Sequence, residues 1–393
     1  MDLVSLRKQI ETLDKELLHC LARRRTLALD VAKDKAKRGG HVRDTGREAE
    51  LLMRLMEMGQ ELGLDPGYLT RLYHIIIEDS VLTQHAWLQQ GDDHGNLAIA
   101  HLGMPGSYSH LTAQSYANRR NCGLQGHSCD TFQDVIAAVE DGRTTLGVLP
   151  IENTSSGSIN DVYDLLRHTH LNIIGESYLP VDHHLLVKPG TSLDDVEVIY
   201  AHPQALTQCS GFLSRLNGVQ LVPEASSAHA MRKIADDTNK HTAAIGPQSG
   251  GALYELLALA HNMANQKENH TRFIVVSRDP LRVPAQLPAK TSLIMATHNQ
   301  AGSLVDALMV LRAHGISMTK LESRPMPGNP WEELFYVDLM VNTSTAEWQE
   351  AAKELAGMTR FIKVLGCYPD ERIKATHAPF PLADSIQNSQ QTP

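Results

Sequence analysis

Arg24 and Lys35 interrupt an otherwise apolar helical stripe. The stripe runs Leu6, Ile10, Leu13, Leu17 and Cys20, then continues through Arg24, Ala28, Val31 and Lys35. Spacing of three and four marks one helix face, so both cations point the same way. A second helix, over about 66–90, puts Leu69, Tyr73, Ile77, Ser80, Gln84 and Leu88 on one face. Burying an unpaired cation is costly, and two cations facing a hydroxyl and an amide imply a pocket for a small polyanion. The alternative is that both snorkel to water or pair with nearby acids. The segment between the helices adds Arg43, Asp44, Arg47 and Glu48. Arg7 lies off the Arg24 face, placed to reach a different site, such as one in a partner chain.

A second concentration of chemistry is Leu149-Pro-Ile-Glu-Asn-Thr-Ser-Ser-Gly157, directly after an apolar strand pattern. Glu152, Asn153, Thr154 and Ser155 put a carboxylate, an amide and hydroxyls in one loop, more than a turn requires. Leu102–His110 follows another strand and opens a helix. Its amides, with Ser107 and Ser109, are suited to cradling an anion, although a tight turn with an N-cap reads the same way. Near the C-terminus, Gly302, Ser303 and Leu304 open a helix, while Glu322, Ser323, Arg324 and Pro325 end a strand. Helix-start amides there are suited to an amino acid's carboxylate, against the alternative of ordinary packing.

The elements that position these residues fall into three blocks. Residues 1–92 are helical and end in a polar, glycine-bounded linker. From 97 to 278, strands at 97–102, 146–149, 172–176 and 184–187 alternate with helical patterns at 132–140 and 158–168, which predicts α/β layers. A proline-rich linker follows, and 290–370 reads strand, helix, strand, strand, helix, strand, the ferredoxin-like order. Residues 376–393 are polar and poor in aromatics, as in a disordered tail.

The 393 residues suit two or three domains, and 42% hydrophobic content supports real cores. Net charge is −9; the first ninety residues carry 14 charges of each sign, so the remainder carries the deficit. That balance disfavours nucleic-acid binding. No stretch reaches the roughly 18–20 apolar residues that span a bilayer, and the start lacks the pattern of a signal peptide. Five scattered cysteines without a Cys-x-x-Cys pair read as reduced thiols in a cytoplasmic protein. His183-His184 and His168-Thr-His170 lack an accompanying ligand set, so neither metal nor cofactor is expected.

Leu6-Arg7 with Ile10 and Asp14, Arg23-Arg24, Val31-Ala-Lys33, Lys35, Val42-Arg-Asp44, Arg47-Glu48 and the stretch from Ile77 to Gln84 resemble the all-helical chorismate mutase domain. The resemblance implies three helices from each of two chains, interlaced. It assigns Arg24, Lys35, Asp44, Arg47, Glu48, Ser80 and Gln84 to the site, with Arg7 supplied by the partner. The loops at 102–110 and 149–157, with Tyr200–Cys209 and Thr271-Arg-Phe273, resemble prephenate dehydratase, a two-lobed α/β enzyme with its site in the cleft. Carried over are Glu152, Asn153, Thr154, Ser155, Gln208, Thr271 and Arg272. Ala201 stands where that family commonly has serine, which implies a missing hydroxyl contact. The segments at Gly302 and Glu322, with Gly328–Glu333, resemble the ACT regulatory domain of these dehydratases, which binds phenylalanine.

The pericyclic rearrangement of chorismate to prephenate requires a compact conformer and stabilisation of charge on the breaking ether oxygen. Lys35 and Gln84 are the natural donors to that oxygen, with Glu48 on the ring hydroxyl. Prephenate then loses carbon dioxide and a poor leaving hydroxyl, which calls for a proton donor. Thr271 is implied by resemblance; Glu152 is the alternative on chemical grounds. The expected protein is a cytoplasmic homodimer inhibited by L-phenylalanine. An arogenate-preferring dehydratase and a non-catalytic ligand sensor are the rivals, and residues 1–90 have the further reading of a helical dimerisation arm.

Overall fold

The computed structural model describes residues 3–38, 45–65, helical positions between 68 and 84, 96–120, 122–266, 268–283, 288–298, 300–326 and 332–370. In the first two helices, side chains are described at 5–34 and from 50 onward. Two compact units result, one within 1–92 and one within 93–371.

In the first unit, α1 (Leu3–Arg38) runs 36 residues without proline or glycine and is followed by α2 (Thr45–Glu61). Backbone at Tyr68, Leu69, Leu72, Tyr73, Ile76, Ile77, Ser80, Thr83 and Gln84 is helical and forms α3. Leu52 and Met56 of α2 pack with Ile77 and Tyr73 of α3. By contrast, Leu6, Ile10, Leu13, Leu17 and Val31 on α1 are exposed, Leu13 by 62%. Among the described residues, this apolar stripe is exposed.

The described residues of the second unit form three sheets. The first comprises β1 (Asn96–Leu102), β2 (Gly123–Cys129), β3 (Leu146–Asn153), β4 (Gly157–Ser158) and β5 (Asn172–Pro180), completed by the distant β11 (His270–Ser277). Its order is β2-β1-β3-β11-β5, with β4 folded back on β3. Helices α4 (Tyr108–Arg119), α5 (Phe132–Glu140) and α6 (Asn160–His168) accompany it. The alternating block predicted for 97–278 thus forms a mixed α/β sheet.

Between β5 and β11 the chain leaves to build a second lobe and returns. That lobe holds β6 (His184–Val187), β7 (Val198–Ala201), α7 (Pro203–Gln208), α8 (Ser210–Leu213), β8 (Gln220–Pro223), α9 (Ser227–Asp236), β9 (Thr242–Gly246), α10 (Gln248–Ala252) and β10 (Leu257–Ala260). Its sheet runs β10-β6-β9-β7-β8. The two crossings lie side by side, where Val181 N donates to Asn269 O at 2.8 Å. A cleft at such a crossing, outside the carboxyl ends of parallel strands, is where open α/β sheets hold ligands.

The third sheet contains β12 (Ala289–Thr297), β13 (Ser317–Pro325), β14 (Glu333–Met340) and β15 (Thr359–Pro369), with α11 (Ser303–Ala313) and α12 (Ala346–Met358). The order β13-β14-β12-β15, antiparallel throughout, is the ferredoxin-like arrangement. This sheet packs against the first: Ile294, Leu334, Tyr336, Leu365 and Tyr368 share one core with Leu149, Ile151, Ile173 and Ile274. Contact is close enough that a Cβ on Gly366 would come within 2.0 Å of the Ile173 carbonyl oxygen. The expected tail at 376–393 lies outside the described residues.

Candidate active sites

Parallel and antiparallel ladders bring Asn153, the last residue of β3, opposite Thr271 near the start of β11. Asn153 Oδ1 accepts from the backbone N–H groups of Ser155 and Ser156 at 2.9 and 3.0 Å. Those donors fix the amide orientation, because only a carbonyl oxygen can meet two N–H groups. Asn153 Nδ2 therefore faces Thr271 Oγ1, donating at 2.9 Å, and also reaches Asn269 Oδ1 at 2.7 Å. The Thr271 hydroxyl accepts that bond, and its own proton remains available to donate.

Both residues line a cavity of about 400 Å³ between the two lobes. Ser107, Gln208, His183 and His202 line it too, as do the apolar Phe132, Pro150, Ile159 and Phe273. Gln208 Oε1 lies 2.7 Å from His183 Nε2 and accepts from Asn269 Nδ2 at 3.4 Å. With its carbonyl engaged twice, Gln208 keeps its NH₂ for a ligand. Burial pulls His183 below its ordinary pKa, and His202 shifts the same way for the same reason. The imidazole is neutral near pH 7, with Nε2–H directed at Gln208 and Nδ1 left 3.4 Å from Tyr108 OH.

Among the described residues, neither lysine nor arginine lines this cavity. Two helix starts converge there: α4, capped by Ser107, and α9, capped by Ser226. Their amides and dipoles favour an anion without a formal cation. Ser107 Oγ donates to Leu102 O at 2.9 Å and accepts from His110 N at 3.2 Å, so its contribution is to shape the helix start.

Strand alternation separates the residues the sequence had grouped. Asn153 and Thr271 face the cavity, while Glu152 and Arg272, also register partners, project from the opposite face. Glu152 pairs with Lys320 at 3.2 Å and lies 3.8 Å from Arg272. Arg272 is buried and bound to Glu176, Asp338 and Tyr368. The structure thus places both the alternative acid, Glu152, and Arg272 away from the cavity. Thr154 and Ser155 lie exposed in the β3–β4 turn, where Thr154 Oγ1 accepts from His270 N. Ala201, the last residue of β7, is fully buried beside Ile199 and Ala205, directly before His202 of the cavity lining.

Sequence reasoning passed over Tyr108, His183, Ser226 and Asn269. In the sequence, His183 stands out only as half of the His183-His184 pair. Among the described residues, no group of three metal-ligating side chains occurs. Ser226-Ser-Ala-His229 was a readable N-cap signal: Ser226 Oγ accepts from His229 N.

In the helical unit, Arg24 Nη1 donates to Ser80 Oγ and, at 3.1 Å, to Ile76 O. Ser80 and Gln84 are buried, and Gln84 Oε1 has no hydrogen-bond partner among the described residues. A guanidinium, a hydroxyl and an unsatisfied amide oxygen are thus brought together between α1 and α3. Arg7 is exposed on α1. Asp44 and Arg43 lie outside the described residues, as do the side chains of Lys35, Arg47 and Glu48.

On the ferredoxin-like sheet, Gly302 has φ 90° and precedes α11 with no side-chain cap. Ser303 begins the helix, and Leu304 packs into the local core. On β13, Glu322 accepts from Ser158 Oγ at 2.8 Å and Arg324 donates to Asp164 at 3.0 Å, both toward the first sheet. Ser323 and Pro325 are exposed. The four β13 residues therefore divide between the two faces of the strand.

Residues 6–85 match the type II chorismate mutase family and residues 99–281 match the prephenate dehydratase family. The bifunctional chorismate mutase/prephenate dehydratase of Enterobacter agglomerans is 50% identical over 94% of this chain and 97% of its own. A solved structure described as GqqA, a novel type of quorum quenching acylase, is 33% identical with a TM-score of 0.63, covering 69% of this chain and 97% of that one. Prephenate dehydratase from Arthrobacter aurescens, solved in complex with L-Phe, shares the fold at 24% identity and TM-score 0.62, over 71% and 92% of the respective chains. This chain belongs to the bifunctional chorismate mutase/prephenate dehydratase family and carries both of its enzymatic domains.

Proposed function

We propose that this protein converts chorismate to prephenate and then to phenylpyruvate, and that L-phenylalanine inhibits it. Thr271, held by Asn153 with its proton free inside the cleft, is the observation that carries the dehydratase reading. Thr271 donates toward the leaving ring hydroxyl. Gln208 and the starts of α4 and α9 hold the carboxylate that stays. The departing carboxylate meets apolar walls such as Phe132 and Phe273, and poor solvation there favours its loss as carbon dioxide.

For the first step, Arg24 binds a chorismate carboxylate, while Gln84 and Lys35 donate to the ether oxygen. Asp44, Arg47, Glu48 and Ser80 complete the pocket, with Arg7 arriving from a second chain. The exposed leucine stripe of α1 supports that pairing, because an interlaced homodimer would cover it. The domains are 1–92 for the mutase, 97–278 for the dehydratase and 290–370 for an ACT regulatory domain. Gly302, Ser303 and Leu304, with Glu322, Ser323, Arg324 and Pro325, form the effector region. No cofactor is required, and the protein works in the cytoplasm; no described helix is long and apolar enough to cross a membrane.

Purified protein given prephenate should release phenylpyruvate, and release should fall in saturating L-phenylalanine. Untouched prephenate removes the dehydratase assignment. Undiminished release in phenylalanine removes the regulatory one.

A further inference from the structure

Arg272 directly follows Thr271 on β11, yet its guanidinium lies on the far side of the sheet with its side chain only 8% exposed. There it donates through Nε to Glu176 at 2.9 Å, through Nη1 to Asp338 at 2.5 Å and through Nη2 to Tyr368 OH at 3.1 Å. Lys290 Nζ meets the same Glu176 at 2.6 Å. Ser292 donates to Asp338 and shares a 2.8 Å bond with Tyr368 OH. Two cations and two carboxylates thus form a buried cluster. Glu176 and Arg272 belong to the dehydratase sheet; Asp338, Lys290, Ser292 and Tyr368 belong to the ferredoxin-like one.

Such a cluster is a poor device for stability alone, because desolvation offsets much of the attraction and apolar replacements often do as well. Its geometry specifies position. The β3–β11 register shifts between Arg272 and Phe273, one residue past Thr271. Irregularities of this kind re-aim side chains beside active sites. At this one a three-way clamp fixes the strand from behind, while Asn153 fixes Thr271 from the front.

We propose that Arg272 is a positioning residue for Thr271, held by Asp338 of the ferredoxin-like sheet, and that it is not a substrate ligand. This rests on Thr271 being the dehydratase donor. The C-terminal sheet then completes the catalytic strand of its own chain, independently of any effector.

The test is steady-state turnover of prephenate by full-length Asp338→Asn and Tyr368→Phe, each alone and combined with Thr271→Val. Small misplacements of a catalytic group can cost up to about a hundredfold. Asp338→Asn should lower kcat by about tenfold or more on that scale while KM changes little. Tyr368→Phe, which keeps the packing, should lower kcat less. In the Thr271→Val background both losses should vanish, because no hydroxyl remains to be positioned. Losses that persist undiminished in that background would mean a smaller folded fraction and would overturn the proposal. So would unchanged kcat in both single variants, or a raised KM at constant kcat, which would make Arg272 a substrate contact. Wild-type protein that leaves prephenate untouched would instead defeat the dehydratase assignment, and this inference with it.

Discussion

Asn153 Nδ2 lies 2.9 Å from Thr271 Oγ1, joining register partners on strands that are 118 residues apart in sequence. The bond leaves the threonine proton free to donate. Thr271→Val keeps the shape and removes the donor, and general-acid assistance is worth about 10²–10⁴ in rate. Turnover of prephenate should fall by that order with little change in KM. Thr271→Ser should retain most activity, and chorismate consumption should be unaffected by either change.

The 2.7 Å contact between His183 and Gln208 makes a different prediction. Removing a buried partner leaves the other group unsatisfied at about 1–3 kcal/mol. His183→Ala frees Gln208 to turn its carbonyl toward the cavity, where it would repel a carboxylate. KM for prephenate should rise by about tenfold or more on that energy scale, a change read directly from initial rates at varied substrate.

Stability should fall in mild acid. His101 is buried, and burial first, with neighbouring His110 second, lowers its pKa from 6.5 to about 4. Burial lowers His110, His183, His184 and His202 as well. The unfolded chain therefore binds protons that the folded chain refuses. For His101 the contribution is fully present above about pH 6.5 and is lost as pH falls toward 4. One such group adds at most about 1.4 kcal/mol per pH unit across that window. Urea unfolding at several pH values should show the slope, and His101→Gln should make it shallower.

Gly366 tests the packing of the two sheets. A methyl group there would meet the Ile173 backbone, which has no flexible end to yield. Gly366→Ala should cost about 1–3 kcal/mol, the usual range for overpacking. Dehydratase activity should drop with it, while mutase activity, housed in the other unit, should hold.

Much of this architecture was legible in the chain. The C-terminal elements follow the order read for 290–370, strand, helix, strand, strand, helix, strand, as β12, α11, β13, β14, α12 and β15. The edge strand β2, Gly-Leu-Gln-Gly-His-Ser-Cys, was invisible because an exposed edge imposes little alternation. Periodicity marks two of the three helices that the resemblance implies; α2, Thr45–Glu61, starts within the charged segment between them. Asn153, Thr271, Gln208 and Ser107 were chosen from motifs and all line the cavity. Glu152 and Arg272 were chosen from the same motifs and do not, since a motif gives neighbours in sequence while a strand sends alternate side chains to opposite faces. His183 and Asn269 escaped because they matter through their distance to Gln208, which sequence order does not encode.

If one chain carries both steps, a time course from chorismate will show it. Prephenate should appear and then give way to phenylpyruvate, and Arg24→Leu should abolish the first conversion while leaving added prephenate a substrate. If chorismate remains untouched by the wild-type protein while prephenate is consumed, the helical unit is a structural arm and the two-step account is contradicted.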